Sequence, residues 1–156
     1  MTTTFTALTE LTDIDAGDWF AIDDTSANTT KKVDWKTVKK EVFVIACSDE
    51  STVITATGEK VEFRIPYAFT VTAVRGSLTT ACTTGTFTVD INESGTTILS
   101  TKLTFDATEK TTTTASTAAV ISDAVLADDA EIQIDVDNVG DSLATGLKIY
   151  IIGYQT

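Results

Sequence analysis

The sequence predicts an all-β protein: an antiparallel β-sandwich of jelly-roll type, preceded by a small N-terminal anchoring unit built as a hairpin plus a short helix. Two observations carry this. Between Val61 and Phe105, Val61, Phe63 and Ile65, then Phe69, Val71 and Ala73, then Phe87, Val89 and Ile91 keep a two-residue step, with Thr70, Thr72, Thr86, Thr88 and Asp90 in the gaps. A two-residue repeat sends one set of side chains to a core and the other to solvent, which is the pattern of a half-buried strand. Roughly one residue in five is threonine, whose branched Cβ favours extended backbone while its hydroxyl meets water.

The elements follow in order. In residues 1–41, Asp18 to Asp23 reads as a strand, Asp24-Thr25-Ser26-Ala27-Asn28 as a turn, and Lys31-Lys32-Val33 as the returning strand. Asp34 is placed to N-cap a short helix through Trp35, Thr37, Val38 and Lys40, with Trp35 and Val38 on one face. In residues 42–156 the pattern gives a buried strand over Glu41–Ala46, then strands over Glu59–Ile65 and Phe69–Leu78 around Pro66, the only proline. Gly85–Glu93 and Thr96–Phe105 flank Glu93-Ser94-Gly95, a short hairpin connection. Lys110–Thr117 reads as a threonine-dominated extended segment and Ile121–Asp129 as a loop ending in an acidic turn. Glu131–Val139 and Leu143–Gly153 are the last strands. Roughly seven or eight strands at this spacing predict the sandwich.

At 156 residues with 42% hydrophobic content, the chain suffices for one buried core and a small appendage. The two parts proposed are 1–41, an anchoring or oligomerisation unit, and 42–156, the sandwich. The first holds both tryptophans and five of the eleven basic residues; the second holds six basic and fifteen acidic ones. About forty residues with so few large apolar groups bury too little area to stand alone. Trp19, Phe20 and Trp35, with Phe5 and Leu11, are therefore expected to pack on a partner chain or on the second part. Together with Ile22, Lys31, Lys32 and Val38 they make the candidate docking or intersubunit set.

The net charge of −12 and pI near 4.2 disfavour nucleic acid and anionic membrane surfaces. MTTTFTALTE has no basic n-region or apolar h-region, and no apolar run approaches membrane-spanning length, so synthesis in a cytoplasm without a secretory signal is expected.

Catalysis is not expected, and neither is a cofactor. The chain has no histidine, the commonest acid/base side chain and metal ligand. Histidine-dependent nucleophilic triads are thereby excluded, phosphate-binding glycine runs are missing, and only carboxylate pairs are left as a catalytic option. Cys47 and Cys82 read as buried free thiols, with a disulfide as the alternative. Asp135 to Asp141 faintly follows a calcium loop without an oxygen ligand at the fifth position or an acid at the twelfth, and Asp13 to Asp18 follows it less well. The strand reading explains Asp135–Asp141 better, with Ile132, Ile134 and Val136 inward. Glu62 and Arg64 share a strand face and Arg75 lies on the next strand. They are either a surface ion-pair set or an interface that fixes subunit register.

The run FRIPYAFTVTAVRGSLTT at 63–80 resembles a module of tailed-bacteriophage virion proteins. The resemblance continues through TFTVDINESGTTILS at 86–100, VISD at 120–123 and LADDAEI at 126–132, and ends with GLKIYIIG at 146–153. DWFAIDD at 18–24 with TKKVDW at 30–35 is similar to a short anchoring unit of phage fibre-like proteins. The resemblance implies a non-enzymatic virion component assembled in the host cytoplasm: a fibre, head fibre or capsid decoration protein, usually a homotrimer contacting the capsid or another virion protein. No long stalk separates the two parts, which favours a compact decoration or short head fibre. The rival is a tail-fibre or tail-tip adhesin for host surface glycans, with Tyr67, Tyr150 and Tyr154 as the sugar-facing aromatics. A depolymerase using paired carboxylates ranks last.

Overall fold

The computed structural model describes residues 19–27, 29–34 and 38–156. The chain divides between Lys39 and Lys40 into two compact units, close to the boundary expected at 41.

Among the described residues, the first unit contains one antiparallel hairpin. Strand β1 (Trp19–Asp24) pairs with β2 (Thr29–Asp34) in a register running from Trp19↔Asp34 to Asp24↔Thr29. Asp24 builds the turn: its Oδ1 accepts from the Ser26 amide at 3.1 Å, the Ser26 hydroxyl at 2.5 Å and the Ala27 amide at 3.2 Å. This is the local side-chain-to-backbone bonding that suits aspartate to turns. Of the helix expected through Trp35, Thr37, Val38 and Lys40, residues 35–37 lie outside the described residues, Val38 is helical, and Lys39 and Lys40 are not.

The second unit is all-β and antiparallel. Its strands are β3 (Glu41–Ala46), β4 (Gly58–Arg64), β5 (Phe69–Ser77), β6 (Phe87–Glu93), β7 (Thr96–Thr97), β8 (Leu99–Thr101) and β9 (Leu103–Phe105). They continue with β10 (Val120–Ile121), β11 (Val125–Leu126), β12 (Glu131–Val139) and β13 (Lys148–Gln155). One sheet runs β11-β5-β13-β3. The other runs β4-β12-β6-β7 with β9 also on β6, and β8 pairs with β10 apart. Both sheets contribute to one apolar core, because the two-residue pattern holds over most of the strands: Ile132, Ile134 and Val136 are buried while Glu131, Gln133 and Asp135 are half-buried between them. On β5 the step breaks: a register shift opposite Ile152 and Gly153 moves Ala73, expected inward with Phe69 and Val71, into the outer row. Phe87, Val89 and Ile91 from β6 meet Phe69 and Val71 from β5 and Ile149 and Ile151 from β13 in that core. Phe87 and Phe105 lie edge to face, centroids 5.9 Å apart, as do Phe43 and Phe69 at 5.0 Å.

Turn chemistry fixes the register. Ser94 and Gly95 take φ of 49° and 79° between the paired Glu93 and Thr96, the two left-handed residues that a tight hairpin between right-twisted strands requires.

Several expectations need correction. Thr96–Phe105 is three short strands, not one. The Thr97 hydroxyl donates to Asp90 Oδ1 at 2.6 Å and accepts the Leu99 amide at 3.1 Å, so a side chain replaces a ladder bond and the chain leaves β6 for β10 before returning. Lys110–Thr117 is extended only in part: Thr111 bridges to Ser77, but the segment then turns, with the Thr111 hydroxyl accepting the Thr113 amide and Asp106 that of Ser116. Ile121–Asp129 is not wholly loop, since it holds β11. The last strand begins at Lys148, because Ser142 is left-handed and the Ala144 and Thr145 carbonyls accept from Ile54 and Thr79.

Candidate functional site

The hairpin displays its apolar residues on both faces. Phe20 and Ile22 share one face and Trp19 the other, and they are 41%, 47% and 55% exposed. The register puts Lys31 opposite Ile22 and Lys32 opposite Ala21. From there Lys31 pairs with the Asp24 carboxylate, and Lys32 reaches over the Trp19 ring with its Nζ 5.4 Å from the centroid. The ion pair with Lys31, then the bonds from Ser26 and Ala27, hold Asp24 down at about 2. Val38 is exposed; Trp35 lies outside the described residues, as do Phe5, Leu11 and the Asp13–Asp18 run. A two-stranded hairpin is marginal in water, so three large exposed apolar groups on it mark a surface that stability requires to be covered.

Glu62, Arg64 and Arg75 do not form one set. Glu62 and Arg64 are on β4, at the edge of the β4-β12-β6-β7 sheet, and Arg75 is on β5 in the other sheet. Arg64 donates to the Asp129 carbonyl at 2.8 Å and pairs with Asp129 and Glu131 at 3.7 and 3.5 Å, while Glu62 meets Gln133 at 3.5 Å. Arg75 stands between two shallow grooves. One, of about 490 Å³, is lined by Val74, Leu103, Thr112 and Ile121; the other, of about 320 Å³, by Ser77, Thr111, Thr113 and Tyr150. Of the aromatics proposed for sugar contact, Tyr67 donates its hydroxyl to Glu41, and Tyr150 sits 3.1 Å from the Ser77 hydroxyl in the second groove.

The acidic side chains on β6 and β12 surround a lysine. Lys102 Nζ lies 2.9 Å from Asp90 and 2.6 Å from Asp137, and both contacts raise its pKa. Burial, then the charges of Asp137 and Asp90, raise that of Asp135, which accepts from Asn92 at 2.8 Å. Among the described residues no cluster of carboxylates and thiols is arranged to hold a metal ion. Cys47 and Cys82 are buried free thiols; burial pushes Cys47 up to about 12 and Cys82 upward, leaving little nucleophilic thiolate.

Sequence reasoning missed one surface. Glu41–Ala46 was expected to be buried, yet Val42 and Val44 on β3 are 52% and 60% exposed and only Ile45 is fully inside. The run Val-Phe-Val-Ile-Ala carries no polar residue to tell an outer face from an inner one, so nothing in the pattern announced this. No protein-family model matches the chain, and no curated protein matches it closely enough to count as a relative.

Proposed function

We propose that this protein is a non-enzymatic structural component of a tailed-bacteriophage virion: a trimeric capsid decoration or short head-fibre protein. In this reading the N-terminal unit docks on the shell, and the second unit is a jelly-roll-like β-sandwich presented to solvent. The observation that carries the reading is the ordered series of virion-like motifs. They fall on core-forming strands: FRIPYAFTVTAVRGSLTT spans the end of β4 and all of β5, TFTVDINESGTTILS spans β6 to β8, and GLKIYIIG lies on β13. Exposed Trp19, Phe20 and Ile22 support it, since repetition around a three-fold axis would cover them and give the shell a multivalent contact. The mechanism is physical. Many weak contacts, each repeated over a lattice, hold a shell together without bond-making chemistry.

The groove beside Tyr150, with Arg75 and the hydroxyls of Ser77, Thr111 and Thr113, favours a second reading, a tail adhesin for host surface glycans. Gold-labelled antibody on intact virions, viewed by negative-stain microscopy, separates the two. Label over the head is expected. Label on the tail alone moves the assignment to the adhesin, and virions free of label overturn both.

A further inference from the structure

The sheet edges of the second unit are not equally protected. Strand β11 is two residues long, and β4 carries Glu59, Lys60, Glu62 and Arg64 along its length. Short or charged edges resist pairing with another chain. Strand β3 is six residues, Glu-Val-Phe-Val-Ile-Ala, and pairs only with β13 among the described residues. Its one charge, Glu41, accepts the Tyr67 hydroxyl.

The direction of its free backbone groups follows from the ladder. The Cys47 amide donates to the Leu147 carbonyl at 2.8 Å, and the register pairs Ala46 with Lys148, Ile45 with Ile149 and Phe43 with Ile151. In an antiparallel ladder alternate residues bond to the same neighbour, so Phe43 and Ile45, in step with Cys47, face β13. The amides and carbonyls of Val42, Val44 and Ala46 therefore point away from it. The same residues place their side chains on the sheet's outer face, where Val42 and Val44 are more than half exposed. Tyr150 and Ile152 are their β13 partners, and Ala73 and Arg75 continue the row on β5. None of these outward residues is a carboxylate, although residues 42–156 hold fifteen.

We infer that the β3 edge pairs antiparallel with the β3 edge of a second copy of this chain, about a two-fold axis at Val44. Centred there, Val44 faces Val44 of the other copy and Val42 faces its Ala46. Every one of these residues has outward backbone groups, so each facing pair exchanges both ladder bonds. Phe43 and Ile45 face each other on the inner side. At the ends, exposed Lys40 enters opposite the other copy's Ser48, beside its Asp49, so flanks of opposite sign meet at both ends of the pairing. The two four-stranded sheets become one continuous sheet. A second copy suits this edge because a chain of net charge −12 repels itself over its acidic surfaces and least across this carboxylate-free face. The inference goes beyond the virion assignment and stands apart from it, since a two-fold contact is a different contact from three-fold packing of the hairpin. Both together would join trimers into a net.

The test uses the full chain carrying Val44→Cys, oxidised under mild conditions and run on a non-reducing denaturing gel. Facing Cα atoms in a bonded antiparallel pair are about 5.5 Å apart, within disulfide range. Covalent dimer is expected as the main product, with Val125→Cys at the opposite sheet edge staying monomeric on the gel. In light scattering, Val44→Lys, which sets like charges face to face, should reduce the native mass at least about twofold, and further where the two-fold contact joins trimers. Its side chain is exposed and its amide serves no internal ladder, so the circular dichroism should be unchanged. Absence of the Val44→Cys dimer, equal cross-linking at Val125→Cys, or an unchanged mass for folded Val44→Lys overturns the inference. None of these outcomes alters where antibody labels the virion, so the two readings fail separately.

Discussion

Gly76 on β5 lies against the ring of Phe105, which is fully buried and held edge to face by Phe87. A β-carbon added at Gly76 would stand 2.6 Å from Phe105 Cζ, 3.1 Å from its Cε2 and 3.2 Å from the Thr112 methyl. The backbone there has no room to retreat: the Gly76 amide donates to the Thr112 hydroxyl at 2.9 Å, and its carbonyl accepts the Thr112 amide at 3.1 Å. Two effects of Gly76→Ala oppose each other. Restricting the unfolded chain stabilises by about 0.4–1 kcal/mol. Forcing a methyl into a filled core costs about 1–3 kcal/mol. Because the obstructing ring is locked by a second ring, the steric cost wins, for a net loss of about 1–2 kcal/mol. For a unit of this size that lowers Tm by about 4–8 °C, readable by calorimetry. Phe105→Leu, destabilising alone, should remove the obstruction, so adding Gly76→Ala to it costs less than in the native background. A coupling of at least about 0.5 kcal/mol is expected in the cycle. A Tm for Gly76→Ala at or above that of the native protein, or strictly additive variants, would refute the reasoning.

Two further outcomes follow from the charged groups. Asp141 Oδ2 accepts the Thr83 hydroxyl at 2.5 Å and the Thr83 and Thr84 amides at 2.8 and 2.9 Å, tying the turn after β12 to the loop before β6, and these bonds hold its carboxyl down at about 2. A carboxyl lowered by folding stabilises fully above its ordinary value near 3.8 and loses that contribution as pH falls through about 2. Asp141→Asn should therefore lower Tm at pH 7, with the difference shrinking below about pH 4. A pH-independent difference would contradict the assignment. Lys102→Met leaves Asp90, only 7% exposed, beside Asp135 and Asp137 without a cation. Because Lys102 itself stays partly in water, the expected loss is about 1–3 kcal/mol in urea unfolding at pH 7. An unchanged midpoint would show that the cluster needs no lysine.

Legibility in the sequence tracked contrast between neighbouring residues. Strands β5, β6 and β12 were readable because polar residues such as Thr70, Thr72, Thr88, Asp90, Glu131, Gln133 and Asp135 alternate with apolar ones along most of their length, and Ser94-Gly95 marked the hairpin because few other pairs adopt two left-handed conformations. Where the marker was missing the reading failed. Val42 and Val44 look like Ile45, so an edge strand passed for a central one. Thr97 and the threonines of 111–117 look like strand residues, yet their hydroxyls compete for the backbone bonds that a strand would use. That Arg75 lies in a different sheet from Glu62 and Arg64 was not legible for a topological reason: consecutive strands around Pro66 enter different sheets, and chain order does not record that. That Trp19 and Phe20 on the hairpin would need a covering surface was expected from size alone, since about forty residues with few large apolar groups bury little area.

Salt dependence separates the two forces that could govern the Val44 contact. Between copies of net charge −12 the long-range term is repulsive, and at physiological ionic strength it is screened beyond about 8 Å. The apolar and backbone contacts along β3 act only at touching distance and are little affected by screening. The pair formed by Lys40 and the other copy's Asp49 is attractive, but it is exposed and contributes at most about 1 kcal/mol. Raising salt removes the repulsion of the whole molecule and only a small local attraction, so the dimer should tighten. Sedimentation from about 10 mM to about 150 mM salt, over which the screening length falls from roughly 30 to 8 Å, would measure this. Dissociation on adding salt would mean that ion pairing holds the copies together, and the contact would then have to be sought among the charged residues, with Arg75 first, and not along β3.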